Sequence, residues 1–93
     1  METVMIEKEQ LGEVEFIQEE VLNTPASKKE RQSLLRQAML LGNGAHNKVK
    51  VSFKTAAQEI MTVHTTIWAV SEKYVNFKAN RSIPIRAILN VEL

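Results

Sequence analysis

The sequence predicts a mainly β domain in which one or two N-terminal helices precede five short antiparallel strands that curl into a small closed barrel. Two observations lead to this prediction. The spacing of apolar residues changes from helical to alternating after Asn47, and turn-forming residues then divide the remaining chain into short strands. A chain of 93 residues is enough for one small domain with a modest core.

The first 24 residues are acidic and the rest of the chain is basic. Seven glutamates and one lysine give residues 1–24 a net charge of −6, whereas eleven lysines and arginines and four glutamates give residues 25–93 a net charge of +7. We therefore divide the chain into an acidic N-terminal arm or short amphipathic helix at 1–24 and a helix plus small β-barrel at 25–93. A chain that neutralises itself on folding would show the same division of charge.

The spacing of apolar residues in the acidic segment does not decide between a helix and a strand. Leu11, Val14, Ile17 and Val21 recur at helical spacing, but Val14 and Phe16 also alternate with glutamates as they would in a strand. Such a segment has three interpretations: it lies across the basic surface, it binds another protein or a second copy, or it is a solubilising tail.

The clearest helix is predicted to open either at Thr24-Pro25 or at Ser27. Ser27 and Glu30 have the spacing of a capping box at its start. Gly42 and Gly44 predict its end, since glycine accepts the left-handed conformation of a C-cap. One mainly apolar face joins these two ends, formed by Arg31, Leu34, Leu35, Ala38, Met39 and Leu41.

Two strands are predicted next. In KVKVSFK, the apolar residues Val49, Val51 and Phe53 alternate with lysines, which indicates a half-buried strand with a basic outer face. The stretch IMTVHTTIWAV, from Ile60 to Val70, is rich in β-branched residues and is long enough to bend across a barrel.

Three shorter strands complete the prediction. YVNFK has Val75 and Phe77 facing the core, SIPIR is a fourth strand and ILNVEL a fifth, with a tight turn predicted at ANRS. Proline cannot donate a hydrogen bond to a ladder, so Pro84 places the fourth strand at a sheet edge or an irregular crossing. The Arg86-Ala87 step is expected to turn the chain sharply.

Two short motifs make residues 27–93 resemble the Sm-like family of SH3-like small barrels, whose members include a bacterial RNA chaperone. EKYVNF looks like the family's first motif of acidic, any, aromatic, aliphatic, Asn and aliphatic residues, and IPIRAI looks like its second motif. The resemblance implies that Tyr74 and Asn76 contact bases and that Arg86 is the basic residue of the second motif. The chain departs from the family in having no glycine in the second strand and Ala87 where a glycine is common.

The remaining composition disfavours several other classes of protein. No cysteine is present, so disulfides and cysteine-based zinc sites are excluded. His46 and His64 have no acidic or cysteine partner at metal-ligand spacing, and no nucleophile or phosphate-binding glycine motif occurs. We expect a protein that is not an enzyme, needs no cofactor and has no membrane segment, in the cytoplasm by default.

The leading functional hypothesis is a non-enzymatic module that binds RNA or another nucleic acid. Lysines on the helix and on the first strand, including Lys48 and Lys50, would attract phosphates, while Tyr74, Asn76 and Arg86 would lie near the bases. The alternative is that the alternating lysines have only a structural role and keep the outer face of a strand solvated. The rival function is a protein-interaction or structural adaptor that self-associates without nucleic acid, and a homo-oligomer is expected under either hypothesis.

Overall fold

The computed structural model describes residues 4–45, 47–77 and 81–93, which form one α-helix and seven strands. The helix α1 spans Pro25–Ala45, and short 3-10 helices occupy Lys8–Glu13 and Ile85–Ala87. The strands are β1 (Val4–Ile6), β2 (Val49–Lys54), β3 (Ile60–Thr65), β4 (Ile67–Val70), β5 (Tyr74–Phe77), β6 (Arg81–Pro84) and β7 (Ile88–Glu92). The chain is therefore mainly β with one α-helix over the ranges described.

The strands form two open sheets, so the predicted closed five-stranded barrel is wrong. One sheet has four strands in the order β1-β3-β2-β7, and the other has three in the order β4-β5-β6. Strand β1 runs parallel to β3, and the other pairs are antiparallel. Among the residues described here, no hydrogen-bonded ladder joins one sheet to the other.

The physical reason lies in two interruptions of the chain. The stretch predicted as one long bent strand is broken at Thr66, so that β3 belongs to the first sheet and β4 to the second. The 3-10 helix at Ile85–Ala87 separates β6 from β7 in the same way. Each interruption moves the chain from one sheet to the other without a shared ladder.

Helix α1 starts where the sequence predicts but ends later. Thr24 caps it, because its Oγ1 accepts a hydrogen bond from the backbone N–H of Ser27 at 3.1 Å. The helix then continues through Gly42 and Gly44 to Ala45, so the predicted stop is wrong. Gly42 instead allows a close approach: a Cβ atom there would overlap the carbonyl oxygen of Ile67 in β4.

The alternation of inward and outward side chains predicted for the first and third strands is confirmed in β2 and β5. Val49, Val51 and Phe53 of β2 are buried, as are Val75 and Phe77 of β5. These side chains form the core between the sheets and α1. Along residues 60–70 the predicted alternation fails at Thr66, which is buried between the buried Thr65 and Ile67, and the register of β4 against β5 shifts after Ile67.

The edge position predicted for the proline strand is also confirmed. Pro84 ends β6, which lies at the edge of the three-stranded sheet and pairs only with β5 over the described residues. Ile83 and Ile85, on either side of the proline, are both buried. Of the turn predicted at ANRS, Ala79 and Asn80 lie outside the described residues, and Arg81 and Ser82 belong to β6.

Residues 4–24 pack against the rest of the chain. Leu11 is 3% exposed, and the ring of Phe16 meets that of Phe53 edge to face at a centroid distance of 5.4 Å. We call residues 14–21, which follow the first 3-10 helix, the strap. The strap runs alongside the end of β2, where the backbone N–H of Ile17 donates to the carbonyl of Lys54 at 3.3 Å.

Candidate functional site

Two of the lysines predicted to contact phosphates, Lys48 and Lys50, lie at the start of β2 in the four-stranded sheet. Lys50 is on the outer face of β2, where its register partners are His64 in β3 and Glu92 in β7. Lys48 precedes β2 and lines a shallow hollow of about 230 Å³ with these three residues. We call Lys48 and Lys50 the lysine face. A carboxylate therefore stands directly beside its positive charges.

Tyr74 and Asn76 lie together on the outer face of β5, in the other sheet. Their side chains are exposed while those of Val75 and Phe77 point inward. The turn before β5 is fixed by two hydrogen bonds, from the Tyr74 N–H to Ser71 Oγ at 3.0 Å and from the Ser71 N–H to the Tyr74 carbonyl at 2.8 Å. The tyrosine side chain is 46% exposed, which leaves ring surface available for a ligand.

Arg86 lies beside Tyr74 and is held by the strap. Its Nε donates to the carbonyl of Ile17 at 3.0 Å, and its own carbonyl accepts from the N–H of Val21 at 3.0 Å. The strap thus fixes both the backbone and the side chain of Arg86. Because Nε makes the bond to Ile17, the terminal nitrogens of the guanidinium remain as donors for a ligand.

Two hollows share Tyr74 and Arg86 as a common wall. The helix-side hollow, of about 470 Å³, lies against α1 and includes Lys28 and Lys73 in its lining. The strap-side hollow, of about 480 Å³, lies against the strap. Its lining includes Glu15, Phe16, Gln18 and Ser82. We call Tyr74, Arg86, Lys28 and Lys73 the tyrosine–arginine site.

An ion pair between the buried Arg31 and the half-buried Glu20 lines the helix-side hollow. Both terminal nitrogens of Arg31 donate to the carboxylate of Glu20 at 2.7 Å, and Nη1 also donates to the carbonyl of Ile88 at 3.0 Å. The hydrogen bonds from Arg31 lower the pKa of Glu20 below its ordinary value. The pair joins the strap to α1 and β7, and its two charges compensate each other.

The net charge presented to a ligand in the helix-side hollow is therefore positive. With Glu20 and Arg31 paired, the described lining holds three further cations, Lys28, Lys73 and Arg86, and one further carboxylate, that of Glu72. Within residues 4–45, 47–77 and 81–93, none of these three cations forms an ion pair. An anionic group entering this hollow would meet three positive charges and one negative charge.

The structure brings together some of the predicted site residues and separates others. Tyr74 and Arg86 share a site, whereas Lys48 and Lys50 lie on the other sheet. Asn76 is on the same face of β5 as Tyr74 but lines neither hollow. Trp68 is 48% exposed in the irregular part of β4, next to Ala69, whose register partner is Asn76.

Sequence reasoning missed Lys73 and the strap residues of the site. Lys73 lies in a turn, and Glu15 and Gln18 lie in a segment without a clear period. No local signal indicates that the strap approaches Arg86, because the contact between Ile17 and Arg86 spans 69 positions.

Metal sites and membrane-spanning helices are not found in the described part of the chain. No group of three or more histidines and carboxylates there is arranged to hold a metal ion, and His46 lies outside the described residues. No helix in the described ranges is both long enough and apolar enough to cross a bilayer.

Comparisons of the chain with protein-family models, with curated proteins and with solved structures gave no match. The resemblance to the Sm-like family therefore depends on the two short motifs alone.

Proposed function

We propose that this protein is a non-enzymatic module that binds single-stranded RNA or another single-stranded nucleic acid through the tyrosine–arginine site. The observation that carries the proposal is the shared wall of Tyr74 and Arg86 between two hollows, with Lys28 and Lys73 on one side. Proteins that bind single strands combine an aromatic platform for the bases with cations along the backbone.

The exposed ring of Tyr74 supplies the platform. A half-exposed tyrosine on a sheet whose other face forms the core offers one π-face to a base without disturbing the packing. Stacking of one base on an aromatic side chain contributes about 1–3 kcal/mol. Asn76 and Trp68, along the same sheet, extend the surface that a second base would meet.

The cations of the helix-side hollow supply the phosphate contacts. Lys28 comes from α1, Lys73 from the turn before β5 and Arg86 from the 3-10 helix, so three different elements contribute cations to the hollow. Three phosphate contacts to a single strand predict a slope of about −2 in a plot of log affinity against log salt concentration.

The proposal is tested by fluorescence anisotropy with labelled RNA and DNA oligonucleotides of mixed sequence at low salt. Tyr74→Ala should weaken binding by about tenfold through lost stacking, while Tyr74→Phe keeps the ring and should bind like the wild type. The double reversal Lys28→Glu and Lys73→Glu should weaken binding at least as much and flatten the salt dependence. Absence of binding to every oligonucleotide at low salt would overturn the proposal.

The alternative is an adaptor that self-associates without nucleic acid. It is favoured by two exposed apolar side chains, since Leu40 on α1 is 64% exposed and Met5 on β1 is 57% exposed. This alternative predicts that the mass measured by light scattering exceeds that of one chain and falls when Leu40 and Met5 are replaced by serine. Oligonucleotides would then have no effect on the mass.

A further inference from the structure

We infer that the strap-side hollow selects nucleobases that carry an exocyclic amino group, namely cytosine, adenine and guanine, over uracil and thymine. This inference rests on the proposed function, because it assigns the base-reading part of the same site. Its basis is the difference in chemistry between the two hollows on either side of Tyr74.

The two hollows differ in charge. The helix-side hollow carries Lys28 and Lys73 in addition to Arg86. Among the lining residues that the structure describes, the strap-side hollow has no lysine, one glutamate (Glu15) and one arginine (Arg86). A phosphate is therefore placed in the helix-side hollow and a base in the strap-side hollow, with the ring of Tyr74 between them.

The strap-side hollow also has the groups that read a base edge. Phe16 and Pro84 add apolar surface to that of Tyr74, while Glu15, Gln18 and Ser82 add polar groups. An ionised carboxylate only accepts hydrogen bonds. It therefore favours an amino group, as in the pairing of glutamate with the amino group of cytosine, and it repels the carbonyl oxygen that uracil has at the same position.

Glu15 is the carboxylate of the strap best placed for this role. Its backbone is fixed, since its carbonyl accepts a hydrogen bond from the N–H of Ala56 at 2.8 Å. The carboxylate of Glu20 is already used by Arg31, and Glu19 lines neither hollow. Two glutamates of the strap therefore have different roles: Glu20 stabilises the fold through its pair with Arg31, and Glu15 hydrogen-bonds to the base.

The test compares oligocytidine and oligouridine hexamers, which have equal charge and differ at positions 3 and 4 of the ring. Labelled hexamers are titrated with the full-length protein by fluorescence anisotropy at pH 7.5. We expect the cytidine hexamer to bind at least about fivefold more tightly than the uridine hexamer. In Glu15→Gln the preference should disappear, because an amide presents both a donor and an acceptor, and uridine should bind more tightly than it does to the wild type.

Glu19→Gln is the matched control, since it removes the same charge from the same strap outside both hollows. It should keep the preference for cytidine. Equal binding of both hexamers to the wild type, or an unchanged preference in Glu15→Gln, would overturn the selection while leaving the proposed function in place. Failure of the wild type to bind either hexamer would overturn both.

Discussion

The lysine face and the tyrosine–arginine site both present positive charge on the outside of a sheet, but they are built differently. The lysine face comes from one strand and its approach, and Glu92 of the neighbouring strand lies opposite Lys50. The tyrosine–arginine site combines α1, the turn before β5 and the 3-10 helix before β7, and it includes an exposed aromatic ring.

The positive charge of the lysine face is what any amphipathic strand with outward lysines would show. The positive charge of the tyrosine–arginine site, in contrast, depends on the tertiary fold. Alternating lysines keep a strand face solvated and discourage pairing with other chains. Gathering Lys28, Lys73 and Arg86 around one hollow, by contrast, requires three distant parts of the chain to pack correctly. We therefore expect perturbations of packing to abolish the tyrosine–arginine site before they affect the lysine face.

The largest expected effect comes from the contact that positions α1. In Gly42→Ala the added methyl group would overlap the carbonyl oxygen of Ile67, so the helix or β4 must shift. Overpacking of this kind costs about 3 kcal/mol in the free energy of unfolding. Urea denaturation at pH 7 measures the loss, and oligonucleotide binding at the tyrosine–arginine site should weaken with it.

Gly44→Ala is the matched control in the same helix. Outside the surrounding turns of its own helix, no atom of the described residues lies within 4 Å of a Cβ atom at Gly44, so the substitution should act through helix propensity. It should leave stability unchanged or raise it by up to about 1 kcal/mol. Equal destabilisation by both substitutions would show that Gly42 is not a point of close helix–strand approach.

The next effect concerns the ion pair beneath the helix-side hollow. The pKa of Glu20 in the folded protein lies below its ordinary value of 4.5, chiefly because Arg31 donates hydrogen bonds to the carboxylate. A lowered folded-state pKa stabilises the protein fully above the unfolded value, and this stabilisation is lost as the pH falls through the folded value. Glu20→Gln should therefore cost about 2 kcal/mol at pH 7.

The pH dependence of unfolding separates this effect from a general loss of packing. The difference in stability between wild type and Glu20→Gln should be constant above the ordinary pKa of 4.5 and should shrink as the pH falls below it towards the lowered pKa of the folded state. Glu19→Gln, which removes an exposed charge next in sequence, should follow the wild type at every pH. A constant difference between wild type and Glu20→Gln would contradict the role of the charged pair.

The sequence predicts what depends on local periodicity. Val49, Val51 and Phe53 are buried because alternation along one strand suffices to place them, and the same holds for Val75 and Phe77. The end of α1 is not predictable in this way. The glycine at position 42 reads as a helix stop locally, and only the proximity of Ile67, far along the chain, shows that it serves close packing.

The strap and the tyrosine–arginine site are likewise not predictable from local periodicity alone. Leu11, Val14, Ile17 and Val21 have helical spacing, yet the backbone groups of Ile17 and Val21 hydrogen-bond to Lys54 and Arg86 instead of within a helix. Those partners are visible only after the chain has folded. Tyr74 and Arg86 were predicted from two short motifs, whereas the hollows on either side of Tyr74 depend on long-range contacts that no motif contains.

The smallest expected effect on oligonucleotide affinity comes from reversing the charges of the lysine face. This test shows whether the lysine face contacts the ligand or only attracts it from a distance. Lys48→Glu combined with Lys50→Glu changes the net charge by the same amount as the reversal of Lys28 and Lys73, but at a hollow whose described lining has no tyrosine, tryptophan or phenylalanine. This double variant should lose only the long-range electrostatic attraction between the protein and the oligonucleotide. We therefore expect its affinity to fall by about twofold at low salt and to equal that of the wild type at high salt. Anisotropy titrations of both double variants over a range of salt concentrations make the comparison. If the two reversals weakened binding equally at high salt, the lysine face would contact phosphates directly, and the ligand would have to extend across both sheets.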